Sequence, residues 1–287
     1  MSARRLLPAL LLGAALALPG AAAAQSEASF GGRAPVNVVA DESLELYQNE
    51  KAVVARVNAV ATRGDLRVRA DTLTAFYREL PNGDTEIYRV LAQGAVEITS
   101  PNQKAFGAQG VFDIDRDVAV LTGGDLRFVT ANDVVTARDS LEFWRTENLA
   151  VARGDALAVR GDNRLKADRL VGLLEQNKQG QLDLSRIDAE GSVVITTPRD
   201  VVRGSKGTYD ITSELALLTG DVKITRGRNQ LNGNAAQVDL KTGVSRLLAA
   251  PPGQPGGRVR GLFVPEEGQG GQGARQPSNR PQDGGTR

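Results

Sequence analysis

Residues 40–123 align with residues 137–220 at a constant offset of 97, without a gap, and 33 of the 84 paired positions are identical. ADESLE from Ala40 lies over ARDSLE from Ala137, and GAVEIT from Gly94 over GSVVIT from Gly191. A duplication this long is not chance and marks the chain as a repeat of one unit. A finer repeat runs inside it. The small residues Ala40, Ala70, Gly107, Ala137, Ala167, Gly204 and Gly233 recur at spacings of 30, 37, 30, 30, 37 and 29. Small side chains at such regular places predict a close backbone approach in every unit.

Within each unit the apolar residues alternate. Val36 and Val38, Leu44 and Leu46, Val96 and Ile98, and Phe112 and Ile114 all follow period 2. So do Leu141 and Phe143, Val193 and Ile195, Tyr209 and Ile211, and Val238 and Leu240. Period 2 places one face of each strand on an apolar interior. Turn residues fall between the runs, at Arg63-Gly64-Asp65, Asn82-Gly83, Gly123-Gly124, Gly161-Asp162, Gly220-Asp221 and Thr242-Gly243. The pattern predicts an all-β protein of stacked antiparallel strands. By alternation alone, these residues and Val68 either close on one another as a core or line an apolar groove.

Composition narrows the chemistry. There is no His and no Cys, so no Ser-His-Asp triad, Cys nucleophile or thiolate zinc site is available, and no disulfide. With 35 Lys+Arg against 34 Asp+Glu, no basic excess points to nucleic acid, and none is expected as a partner. Aromatics make up 4%, so the interior must be aliphatic. Three apparent motifs are set aside. The G-x-G-x-x-G at 268–273 neither follows a strand nor opens a helix. The three Arg-Gly-Asp triplets read as turn chemistry in this alternating context. Asp113, Asp115 and Asp117 begin a calcium-loop pattern but lack its Gly and closing Glu. No catalytic residue, metal or cofactor is expected. Trp144 is placed at an end or at the rim of the interior.

The chain's ends read differently from its middle. Arg4 and Arg5, the apolar run Leu6 to Leu18 and the alanines 21–24 describe a secretory leader over 1–24, with cleavage expected near Ala24 and export to follow. Residues 25–35 read as a flexible segment. Residues 36–265 form the repeated β region, and 266–287, rich in Gly, Gln and Pro, read as disordered.

Several stretches resemble the OstA-like family of lipopolysaccharide-transport proteins. They are P-V-N-V-x-A-D-E-S-L-E (Pro35 to Glu45), G-x-V-x-I-T (Gly94 to Thr99 and Gly191 to Thr196), and A/G-x-x-G-x-[FY]-D (Gly204 to Asp210, loosely from Ala108 to Asp113). L-T-G (Leu121 to Gly123 and Leu218 to Gly220) and the closing R-V-x-G-x-x-V-P (Arg258 to Pro265) complete them. The resemblance implies an open, twisted β-jellyroll with an apolar groove, and within the family it points to the periplasmic bridge component. It implies lipopolysaccharide as the bound lipid, through its acyl chains. The implied partners are an anchored inner-membrane member and an outer-membrane translocon. Head-to-tail self-association is also implied, with Val36 and Val38 at one edge and Val259, Leu262 and Val264 at the other. The repeated part is longer than in many bridge proteins. A different expectation is a secreted β-solenoid that binds or degrades polysaccharide; it requires clustered outward carboxylates or aromatics, and none stands out.

Overall fold

The computed structural model describes residues 36–178, 182–253, 256 and 258–262. The expected leader, the 25–35 segment, the 266–287 tail and Val264 lie outside the described residues. Among the described residues every regular element is a strand. The N-terminal repeat holds β1 (Asn37–Val39), β2 (Ser43–Tyr47), β3 (Ala52–Arg63), β4 (Leu66–Glu79), β5 (Thr85–Ser100), β6 (Gln103–Asp113), β7 (Val118–Thr122) and β8 (Arg127–Thr130). The C-terminal repeat holds β9 (Asp133–Thr136), β10 (Ser140–Trp144), β11 (Leu149–Arg160), β12 (Asn163–Gln176), β13 (Leu182–Thr196), β14 (Val201–Asp210), β15 (Leu215–Arg226) and β16 (Asn229–Asp239). β17 (Val244–Leu248) and β18 (Arg260–Leu262) close the sheet. All pair antiparallel in one continuous sheet, as the alternation predicts.

The long strands are bent near their middles. β3 pairs with β4 in one register up to Arg56 and resumes at Ala59; β11 and β12 do the same between Arg153 and Ala156. At these shifts successive residues take positive φ: Val57–Asn58, Gly94–Ala95, Gly154–Asp155, Gly191–Ser192 and Gly220–Asp221. Two left-handed residues in a row form a bulge, which turns the strand. Gly94 and Gly191 have no alternative, because a Cβ at either would run into the side chain of Asp71 or Asp168 on the facing strand.

The bend folds the sheet into two facing layers. Layer one runs β2, the first half of β3, the second half of β4, and so on to β17. Layer two runs from β1 through the opposite halves to β18. At the junction of the repeats the strands are broken rather than bent: β7 pairs with β10 in layer one, and β8 with β9 in layer two. The layers converge on the small residues. Ala59, Ala70, Ala156 and Ala167 are at most 2% exposed, and a Cβ on Gly107, Gly204 or Gly233 would press on Leu126, Leu218 or Leu247. These side chains pack tightly at the bend, the spine; the far ends of the two layers are the lips of the mouth.

The inward face of layer one carries one row that is identical in both repeats. Leu44, Ala55, Leu73, Ala92, Gly110 and Leu121 are cross-strand neighbours, and so are Leu141, Ala152, Leu170, Ala189, Gly207 and Leu218. Large and small side chains alternate, so the row interlocks with the opposite layer. Each repeat has its own core cluster, and Leu141 packs against both.

Candidate functional site

The interior is graded from spine to mouth. Of the seventeen residues expected to line it, Val68, Val96, Phe112, Val193, Ile195 and Val238 are buried near the spine. Val36, Val38, Ile98, Ile114, Leu141, Phe143, Tyr209, Ile211 and Leu240 are half-buried. Leu44 and Leu46 are 57% and 59% exposed. They lie opposite Ala55 and Val53, on the inward face, and are bare because β2 has a neighbour on one side only. The apolar interior is therefore uncovered at the N-terminal end of the sheet.

The two lips of the mouth differ. Layer one ends in apolar side chains, among them Ile87, Ile114 and Leu240, which pack on the core clusters. Layer two ends in polar ones. Along β3, Ala61 faces inward opposite Val68, so Arg63, opposite Leu66, faces the same way at the strand's end. Arg160 holds the matching place on β11, and Arg226 on β15. Arg160 donates to Asp133 at 2.6 and 2.9 Å. Arg226 donates to Asp200 at 2.6 and 2.8 Å.

Two contacts reach across the mouth in the C-terminal repeat. Ser245 on β17 of layer one donates to Asp200 at 2.7 Å. Tyr209, on the inward face of layer one, has its phenol pKa pushed up by burial, while the neighbouring Arg160 of layer two opposes that shift. At the position of Tyr209 the N-terminal repeat carries Phe112, which has no hydroxyl.

Alternation missed the lip residues and much of the buried inward row, including Leu73, Leu121, Leu170 and Leu218. The bulges are the reason. On β4, Val68 and Ala70 face inward and so does Leu73, an odd step that breaks period 2. The signal that recovers these residues is their identity across the 97-residue offset. Trp144 lies on the outer face of layer one, opposite Leu149, and its Nε1 donates to Glu142 at 2.9 Å.

The edges are also visible. β1 and β2 pair only with β3, and β17 and β18 only with β16, so among the described residues each layer has an unpaired strand at both ends. Val36 and Val38 flank and belong to β1; Leu262 ends β18 at 61% exposure, and Val259, at 50%, precedes it. No group of His, Cys, Asp and Glu suited to a metal ion occurs among the described residues.

Comparison with known proteins gives three likenesses. The chain is 26% identical over 133 residues to an uncharacterized protein of Rhizobium meliloti (strain 1021), covering 45% of this chain and 69% of that one. It is 22% identical to LptH, described as the LptA homologous periplasmic component of the conserved lipopolysaccharide transport device from Pseudomonas aeruginosa. That likeness has a TM-score of 0.38 and covers 46% of this chain and 95% of that chain. The family described as "LptA/(LptD N-terminal domain) LPS transport protein" matches residues 37–139 and again 135–244, one match to each repeat. Those matches span most of the described sheet, and the chain belongs to this family of lipopolysaccharide-transport proteins.

Proposed function

We propose that this chain is a non-enzymatic periplasmic carrier that shelters the acyl chains of lipopolysaccharide in its interior and bridges inner- and outer-membrane export components. The observation that carries this reading is the inward apolar row, repeated residue for residue across both halves and uncovered at the β2 end. Fourteen strand positions in each layer, spaced about 4.8 Å, give a lining roughly 60 Å long. Sheltering matters because each methylene moved out of water contributes about 0.8 kcal/mol, so one twelve-carbon chain is worth about 9 kcal/mol. A carrier that presents aliphatic side chains throughout removes that barrier without any bond being made or broken.

The unpaired edges support the bridging half of the proposal. An open strand edge presents unsatisfied N–H and C=O groups that pair readily with another chain. In this reading β1 and β2 of one copy, or of a family partner, add to β17 and β18 of the next. The contact is head-to-tail and does not close on itself. Native mass spectrometry of the protein purified from a host that makes lipopolysaccharide tests the carrier reading. Co-purified lipopolysaccharide supports it; protein free of lipid, and unable to take up added lipopolysaccharide, rules it out.

A further inference from the structure

We propose that the contact joining the two repeats inside the chain is the template for the contact between chains. β2 of one copy pairs with β17 of the next in the register that β10 has with β7, and β1 pairs with β18 as β9 does with β8. This deepens the bridging half of the proposed function and rests on it. It names a second copy of this chain as the partner and fixes which residues meet.

Both halves of the internal junction recur at the ends of the sheet. On one side, β9 and β10 lie 97 residues after β1 and β2, and Ser140-Leu141-Glu142 repeats Ser43-Leu44-Glu45. On the other side, β6 pairs Gln109–Asp113 with β7 and Lys104–Phe106 with β8. β16 pairs the positions 126 residues on, Ala235–Asp239 with β17 and Gln230–Asn232 with β18. The two open ends are therefore built like the two halves of a joint that the chain already makes.

The internal register can be carried over residue by residue. Leu121 faces Leu141 and Ala119 faces Phe143 on the inward side, while Val120 faces Glu142 and Val118 faces Trp144 on the outward side. At the chain ends this sets Leu44 against Leu247, Leu46 against Ser245, Glu45 against Arg246 and Tyr47 against Val244. The side chains fit. Leu44 on Leu247 reproduces Leu141 on Leu121 and covers a residue that is 57% exposed in the single chain. Leu46 beside Ser245 keeps the large-small match of Phe143 and Ala119. Tyr47 and Val244, both exposed, cover one another. Glu45 accepts from Arg56 at 2.9 and 3.0 Å and would meet a second cation in Arg246, which is exposed. Opposite charges facing each other across two strands stabilise the pair. A slip of one residue turns every side chain to the other face, and a slip of two puts Glu45 against Val244 or Leu248. In layer two the same transfer sets Val38 against Gly261 on the inward face.

The chain has no cysteine, so disulfide trapping reads the register directly. Full mature chains carrying Glu45→Cys, mixed with chains carrying Arg246→Cys and oxidised, should give a cross-linked pair. Mixtures with Val244→Cys or Leu248→Cys chains should give several-fold less, because a disulfide forms only between closely facing Cβ atoms. Sedimentation velocity over a concentration series supplies a second reading. Glu45→Gln and Arg246→Gln should each weaken self-association about threefold, and the double variant no more than either. A dominant cross-link at 244 or 248, cross-linking of Glu45→Cys chains to one another, or effects that multiply in the double variant would overturn the register while leaving end-to-end bridging intact. A wild type that stays monomeric throughout the series would remove the joint between copies altogether, and with it bridging by copies of this chain.

Discussion

Ser245 Oγ donates a 2.7 Å hydrogen bond to Asp200 Oδ2 and so ties the last strand of layer one to the lip of layer two. The residues are 45 apart in sequence, and Asp200 is 2% exposed. Arg226 holds the carboxyl of Asp200 below the usual carboxylate range, Ser245 adds to this, and burial opposes both. The C-terminal end of the mouth is clasped by these three side chains, whereas the N-terminal end stands open at Leu44 and Leu46.

A depressed carboxyl pKa gives stability that is complete above the unfolded value and lost as pH falls through the folded one. For Asp200 the loss therefore lies below about pH 4, the unfolded Asp value. Asp200→Asn should be less stable than wild type at neutral pH, and the gap should close on acidification through that window. Ser245→Ala should cost about 1 kcal/mol at neutral pH. Urea unfolding at neutral and acid pH measures both.

Leu44 and Leu218 belong to the same inward row but differ in environment: 57% exposed against fully buried. Leu218→Ala should destabilise by about 3 kcal/mol, the cost of lost burial plus a cavity. Leu44→Ala should change stability by no more than about 0.5 kcal/mol. Thermal unfolding of the two variants distinguishes a packed spine from an open end.

Val57 takes φ 62° at a place where the C-terminal repeat has Gly154 at φ 81°. A β-branched residue in this region is strained. Val57→Gly should stabilise by about 1 kcal/mol. Gly154→Val should destabilise by more than that gain, because its Cβ would also meet Asp139. Chemical denaturation of each variant checks the sign.

The bare inward side chains of β2 predict how the copies join. Leu44→Lys with Leu46→Lys places charges on an unpaired edge, a device that blocks strand addition. Because both residues are exposed, the melting temperature should hold while self-association weakens. Sedimentation velocity over a concentration series would show this as loss of the larger species; an unchanged distribution removes β2 from the joint.

The strand class and the duplication were legible because period 2 and an identical 97-residue offset survive in the residues themselves. Which faces meet was less legible. Gly94–Ala95 and Gly191–Ser192 bend their strands, and the single-residue shift on facing strands such as β4 moves Leu73 onto the same face as Val68. Period 2 cannot follow a chain through that shift. The polar lip was illegible for another reason: Arg63 and Arg160 look like turn residues beside their Gly-Asp pairs. Only the strand register turns them inward.

Photo-crosslinking in lipopolysaccharide-producing cells tests the sheltering interior most directly, with a benzophenone side chain placed at Phe143 on the inward face and, separately, at Glu97 on the outward face. Lipopolysaccharide adducts at position 143 and none at 97 are the expected result. Adducts at 97 alone, or equal labelling at both, would contradict a lipid path between the two layers.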